Sequence, residues 1–160
     1  MIEMNNRLIY VECNPDELLM QIYGFFKRTI KHSSGKSRIG KLLEKNQGRL
    51  ALVDEDPEGT PIPYFNNTAF TLVKQENGYT IKNDSRRGHT IIEIRPYLEE
   101  WIIDACREAF VNIRDYNLPN DPISLHHIIN NDLKKLRNLI MELLNHNCSI
   151  KRLRNDILTL

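Results

Sequence analysis

The stretch that most limits what this chain can fold into is residues 49–59, Arg-Leu-Ala-Leu-Val-Asp-Glu-Asp-Pro-Glu-Gly. Four apolar residues, Leu50 to Val53, stop abruptly at Asp54-Glu55-Asp56. The run reads as a buried strand that delivers acids to its C-terminal end. Asp54 and Asp56 are two apart, so extended backbone would point both to one side. Carboxylates that close repel each other unless a cation sits between them. Hard oxygen ligands on a short arc suit Mg²⁺ or Mn²⁺. Pro57 and Gly59 are turn residues, so the same stretch also reads as a polar turn after a strand.

A second stretch repeats the arrangement. Residues 7–12, Arg-Leu-Ile-Tyr-Val-Glu, form a candidate strand ending in Glu12. Asn14-Pro15-Asp16-Glu17 then carries a helix start: Asn14 as N-cap, Pro15 at the first helical position, acids in the first turn. Ligands of open parallel sheets bind beyond the carboxyl ends of the strands. If the two strands are neighbours, Glu12, Asp54 and Asp56 converge there.

The rest of the chain fills in around these two strands. Apolar spacing at Leu18, Leu19, Ile22, Tyr23 and Phe26 predicts a helix over 15–26, and Ile39, Leu42 and Leu43 predict another over 37–45. A short strand is expected at 28–32 and a turn at Ser33-Ser34-Gly35. Strand, helix, strand, helix, strand is the pattern of a parallel sheet with right-handed crossovers. Residues 57–67 are expected to form a loop able to cover the acids. Asn77-Gly78, flanked by alternating apolar residues, predicts a β-hairpin over 70–82. A strand at 90–95 is stopped by Pro96. Helices are expected at 97–110, at 123–145 with Asn130-Asn131-Asp132 as a breaking point, and at 149–159. The chain of 160 residues is long enough for one domain with a proper core. The expected fold is therefore α/β: a mainly parallel sheet flanked by helices, with a β-hairpin insertion and a C-terminal helical layer. It forms one domain over 1–160, comprising a core at 1–60, the hairpin and further strand at 61–96, and the helical part at 97–160.

Net charge is +1, so no global field argues for a polyanionic partner and any basic surface must be local. Cys13, Cys106 and Cys148 are odd in number and widely spaced, which suggests neither a disulfide framework nor a zinc knuckle. The first residues lack the basic-then-apolar order of a signal peptide. No apolar run approaches the roughly 20 residues that cross a bilayer. A cytoplasmic protein is expected, with no membrane partner. Gly35-Lys36-Ser37 resembles the end of a phosphate-binding loop, but Ile30 stands where that motif needs its first glycine, so ATP binding is rejected. What remains is a glycine turn before a basic helix, able to receive a phosphate. Lys31, Lys36, Arg38 and Lys41 belong to the most basic stretch, Lys27 to Lys45, which is opposed only by Glu44. A basic stripe beside an acidic metal site suits phosphodiester cleavage. Arg86 and Arg87, with His89, make a smaller basic cluster. His32 is the histidine closest to the expected site. His126 and His127 are adjacent and would point apart on a helix.

With these residues in place, the chain resembles the Toprim family, the module of topoisomerases, primases and overcoming-lysogenization-defect nucleases. That signature is a glutamate ending the first strand before a helix, then Asp-x-Asp ending a later strand; here these are Glu12 and Asp54-Glu55-Asp56. Pro96, Leu98, Glu99 and Trp101 are similar to a Pro-x-apolar-Glu-x-Trp motif of small Toprim-like proteins found beside ABC-type ATPases in bacterial anti-phage systems. The resemblance implies a Mg²⁺- or Mn²⁺-dependent nuclease with Glu12, Asp54, Asp56 and Lys36 as its catalytic set. Glu99 would be a further metal ligand beside Glu12, Asp54 and Asp56. Nucleic acid, DNA before RNA, would be the substrate, and Lys31, Lys36, Arg38, Lys41, Arg86 and Arg87 would contact it. A partner ATPase in anti-phage defence is implied as well. The alternatives are a non-catalytic binding or regulatory subunit with the same fold, and a plain interaction domain whose acids are turn residues.

Overall fold

The computed structural model describes residues 6–160. Residues 1–5, on which the signal-peptide reading partly rests, lie outside the described residues. The central element is β3 (Leu50–Asp54), whose Leu50, Ala51, Leu52 and Val53 are all buried. It pairs in parallel with β1 (Ile9–Val11) on one edge and with β6 (His89–Ile94) on the other. β2 (Ile30–His32) adds in parallel outside β1. β4 (Thr71–Glu76) and β5 (Tyr79–Asp84) form an antiparallel hairpin outside β6. The sheet order is β2-β1-β3-β6-β5-β4. The fold is thus α/β with a mixed, mostly parallel sheet, as the alternation of strand and helix signals predicts.

The pleat divides the core in two. Ile9, Val11, Leu50, Leu52, Ile92 and Ile94 face a large apolar cluster. It includes residues of α1 (Asn14–Ile22), α4 (Leu98–Ala109), α5 (Pro122–Ile129), α6 (Leu133–Leu143) and α7 (Ser149–Leu158). Tyr10, Ala51, Val53 and Ile91 face a smaller cluster built with Ile39 and Leu43 of α2 (Lys36–Lys45) and Tyr64 of α3 (Pro63–Asn67). The Tyr23 hydroxyl donates to the Ile150 carbonyl at 2.7 Å in the interior, tying the end of α1 to α7. Trp101 is buried at the first turn of α4 and fixes the hairpin tip. Gly78, at φ +93°, has room for no side chain, since a Cβ there would lie 2.4 Å from the Trp101 ring.

Several boundaries depart from the periodic pattern. α1 stops at Ile22 and the chain turns at Gly24, φ +105°, so Phe25 enters the core and Phe26 is exposed. Residues 27–29 are a 3₁₀ turn, so the second strand starts only at Ile30. The loop at 57–67 contains α3, begun by Pro63 and held by the buried Tyr64. The segment 123–145 does break at the expected Asn130-Asn131-Asp132, where Asp132 caps α6 by accepting the Lys135 amide. Residues 97–110 are helical to Ala109; Phe110 takes φ +55° and is exposed. Cys13, Cys106 and Cys148 are free thiols. No helix among the described residues is long and apolar enough to cross a membrane.

The opposite end of the sheet is closed by His89, 1% exposed. Its Nδ1 accepts the Arg49 amide at 3.0 Å, so Nε2 carries the proton and donates to the Leu43 carbonyl at 2.8 Å. One neutral ring therefore joins the end of α2 to the starts of β3 and β6. Burial holds the His89 pKa below its ordinary 6.5. The unfolded chain then binds the proton more readily than the folded one. His89's stabilising contribution is intact above about pH 6.5 and is lost as pH falls towards the lower folded value. In urea titrations, His89→Gln is expected to be less stable than wild type at neutral pH by roughly 1–3 kcal/mol. It should also lose part of the fall in midpoint on acidification below about pH 6.5; identical pH slopes in the two proteins would refute this assignment.

Candidate functional site

Three helices begin at the sheet end where β1, β2 and β6 finish. β1 runs directly into α1, the Gly35 turn before α2 lies beyond β2, and Pro96-Tyr97 joins β6 to α4. Free N–H groups and positive dipole ends collect there, which favours acids. Glu12 sits at the mouth. Its Oε1 accepts the Asp54 amide at 3.1 Å, and its carboxylate also takes a backbone hydrogen bond from Lys36 at the start of α2. Asp16, in the first turn of α1, is 4% exposed and accepts the Glu12 amide at 3.3 Å. Asp54 accepts a backbone hydrogen bond from Leu98, the first residue of α4, and lies in the field of Asp16, Glu12 and Glu99.

Burying these acids together disfavours their charge. Burial first, then the charges of Asp16, Glu12 and Glu99, pushes the Asp54 carboxyl up to about 9. Burial also raises Asp16, to about 7, with Glu12 adding to it. Glu12 is raised by burial, with Asp56 adding to it, while Asp54's amide and Lys36 pull the other way. A divalent cation would favour the charged forms of all these groups at once. The donor set is hard oxygen throughout and fits Mg²⁺ or Mn²⁺ chemically. Among the described residues, no three or more His, Cys, Asp or Glu side chains stand together as a preformed ligand shell.

Asp56 reaches this region by a different path from the one its spacing predicts. The strand ends at Asp54, and Asp56 takes φ +50° in a turn, so the pair does not share one side by strand alternation. Asp, with its short polar side chain, tolerates that left-handed backbone. The Asp56 amide donates to the Pro96 carbonyl at 3.2 Å, and its Oδ1 accepts from the Tyr97 hydroxyl at 3.0 Å. Gly59 folds back against the same carboxylate, and a Cβ at Gly59 would lie 2.1 Å from Asp56 Oδ2. Glu55, between the two aspartates, pairs with Arg95 and turns away from the cluster.

Lys36 lies on the α2 side, half-buried. Its Nζ donates to the Glu55 carbonyl at 2.8 Å, stands 4.0 Å from Glu93 and lies 5.0 Å from the Phe65 ring centre. Lys36, Asp56, Gly59 and Phe65 line a cleft of about 200 Å³ under α3, so the loop at 57–67 does border the acids. Glu99 is buried beside Asp54, but its Oε1 is taken by His126 Nδ1 at 2.7 Å. Lys31 is exposed on the edge strand β2, and Arg38 and Lys41 are exposed on α2. Arg86 and Arg87 sit in the turn between β5 and β6, at the end of the sheet opposite the carboxylates; Arg87 is spent on Asp84 at 3.2 Å. His32 is exposed at the end of β2 and meets no carboxylate among the described residues.

Glu12, Asp54, Glu99 and Lys36 are thus drawn to one sheet end, with Asp56 held close by its turn. Sequence reading missed Asp16, Tyr97 and His126. Asp16 carried a signal, because an acid in the first turn after Glu12 had to lie at the same strand end. The Tyr97 and His126 contacts depend on how α4 and α5 pack, which no local pattern encodes. No protein-family model matches the chain, and neither a curated protein nor a solved structure is significantly similar to it.

Asp54's raised value means that its contribution to stability is present below about pH 3.9 and is lost as pH rises through about 9. Without divalent cation at about pH 8, Asp54→Asn is therefore expected to melt above wild type. The shift should amount to several degrees, at roughly 2–4 °C per kcal/mol for a chain of this size. Differential scanning calorimetry at about pH 8 and about pH 5 checks it: the gap should narrow at the lower pH. A variant that melts lower at both would sink the buried-acid account.

Proposed function

We propose that this chain is a Mg²⁺- or Mn²⁺-dependent phosphodiesterase acting on nucleic acid, a Toprim-like nuclease, and that Glu12, Asp54 and Asp56 hold the ion. The observation that supports it most is the convergence of buried, mutually repelling carboxylates at the carboxyl end of a parallel sheet, with Lys36 beside them. When bound, the ion would polarise the phosphodiester and lower the pKa of water. The chain's own residues supply the rest. Glu12 is fixed by the Asp54 amide, so its carboxylate is oriented before any ligand arrives. Tyr97 and Gly59 position Asp56. Lys36, within the field of Glu12, is placed to offset charge gathering on a phosphate entering the cleft. The amides at the start of α2 offer a further anion site. A defence role and an ABC-type ATPase partner follow from the resemblance, a cytoplasmic setting from the scattered cysteines, and all three belong to the same proposal.

A non-catalytic regulatory subunit is the second reading. It is favoured by the way Tyr97 and Glu55 already occupy Asp56 and Lys36, and by the lack of a preformed shell among the described residues. Mn²⁺ at about a hundred times its Kd should stabilise the wild type by about 2.7 kcal/mol. Asp54→Asn and Glu12→Gln should lose that gain. Lys36→Met should keep it while cutting the rate on plasmid or single-stranded DNA by about 10²-fold. Metal stabilisation with no cleavage, even when the ATPase partner is supplied, would favour the regulatory subunit; no stabilisation in the wild type removes the metal site itself.

A further inference from the structure

We propose that the groove between α1 and α6 carries the sugar–phosphate backbone of a single nucleic-acid strand away from the carboxylate site, a path that rests on the phosphodiesterase reading above. The groove holds about 520 Å³. Leu18 and Leu133 line it together with three cations, Lys27, Lys134 and Arg137, against one carboxylate, Glu17. Glu17 is already engaged, accepting from the Gln21 side chain at 2.9 Å. The three cations are exposed, and none of them meets a carboxylate among the described residues, whereas their neighbour Lys135 is paired with Asp132 at 3.6 Å. Unpaired cations from two separate elements facing one concave surface make a local positive track in a chain whose net charge is only +1.

The track starts at the site. Asn14, the first residue of α1, lines the groove two residues after Glu12, and Lys27 lies past the helix's far end. Nine residues of α1 rise about 13 Å. That length is enough for more than one phosphate of a single strand. Leu18, Leu133 and the side-chain stems of the lysines give the groove apolar surface, but no aromatic ring among the described residues lines it, so bases have no ring to stack on. The groove therefore holds backbone, not bases, and binding is indifferent to sequence. Arg86 and Arg87, at the far end of the sheet, take no part.

The test is Lys134→Glu combined with Arg137→Glu, both exposed, in the full chain. Fluorescence anisotropy with a labelled single-stranded oligonucleotide should show binding at least about tenfold weaker. The log–log salt slope should be smaller by about 1.4, at 0.7 per lost phosphate contact. Arg86→Glu should bind like wild type. Equal binding and slope in the double variant and wild type would overturn the groove, as would no binding by wild type. So would preferential capture of polyglutamate, which would make the groove a peptide site. Failure here is separable from failure of the metal site: Mn²⁺-dependent thermal stabilisation should be the same in the double variant and wild type. Its absence from both, with oligonucleotide binding still lost in the double variant, would leave the groove standing and remove the metal.

Discussion

β3 is hydrogen-bonded along both edges and covered on both faces, and the placement of everything else depends on that. Its alternate side chains feed two separate apolar clusters, so a slip of one residue would exchange the two sets. Register is therefore stiffly set, and the strand must release its chain at Asp54 and nowhere else. Because β1 and β6 run parallel to it, their ends lie at the same level. A carboxylate at the end of one strand and helix starts after the others then meet without any loop having to search for them.

That arrangement stores unfavourable electrostatics at one end of a well-packed body. Glu12, Asp16, Asp54 and Glu99 would repel in water and do so more strongly where burial lowers the dielectric. The helix starts offset part of this through backbone N–H groups, as at Leu98 for Asp54 and Lys36 for Glu12. At the other end several polar groups are paired, while Arg49 Nε and Asn83 Oδ1 are buried with no hydrogen-bond partner among the described residues. His89 bridges three elements as a neutral ring, Asp84 accepts from Tyr64 and Arg87, and Arg7 donates to the carbonyls of Gly48, Arg49 and Gly88. What sets the carboxylate pole apart is its cluster of like charges held in burial, and such clusters mark sites more often than scaffolds.

How much of this could be read in the chain depended on the range of the forces involved. The apolar run at Leu50–Val53 and the helix start around Asn14-Pro15 are local signals, and both elements form there, but the residue expected as N-cap, Asn14, is already helical and Cys13 takes the cap position, its carbonyl accepting the Glu17 amide. The Asn77-Gly78 hairpin and the split at Asp132 are equally local. The geometry of Asp56 was not legible, because a strand's alternation ends with the strand, and a left-handed residue obeys the turn instead. Phe26 was misplaced for a related reason: Gly24 breaks the helical period two residues before it. Arg86 and Arg87 look like companions of the basic stretch in composition, yet the antiparallel turn from β5 to β6 puts them at the other pole. Charge alone carries no address until the strand order is known.

The hairpin's outer strand has a consequence for handling the protein. β4 ends the sheet with one side unpaired, and Leu72 and Val73 are exposed along it. Such an edge is a template for fibril growth. Here the register shifts between Leu72 and Lys74, and Lys74 pairs with Glu76 at 3.3 Å on the next stretch of strand. A kinked, charged border offers an incoming strand only a few consecutive amides, which works against edge-to-edge pairing at this rim.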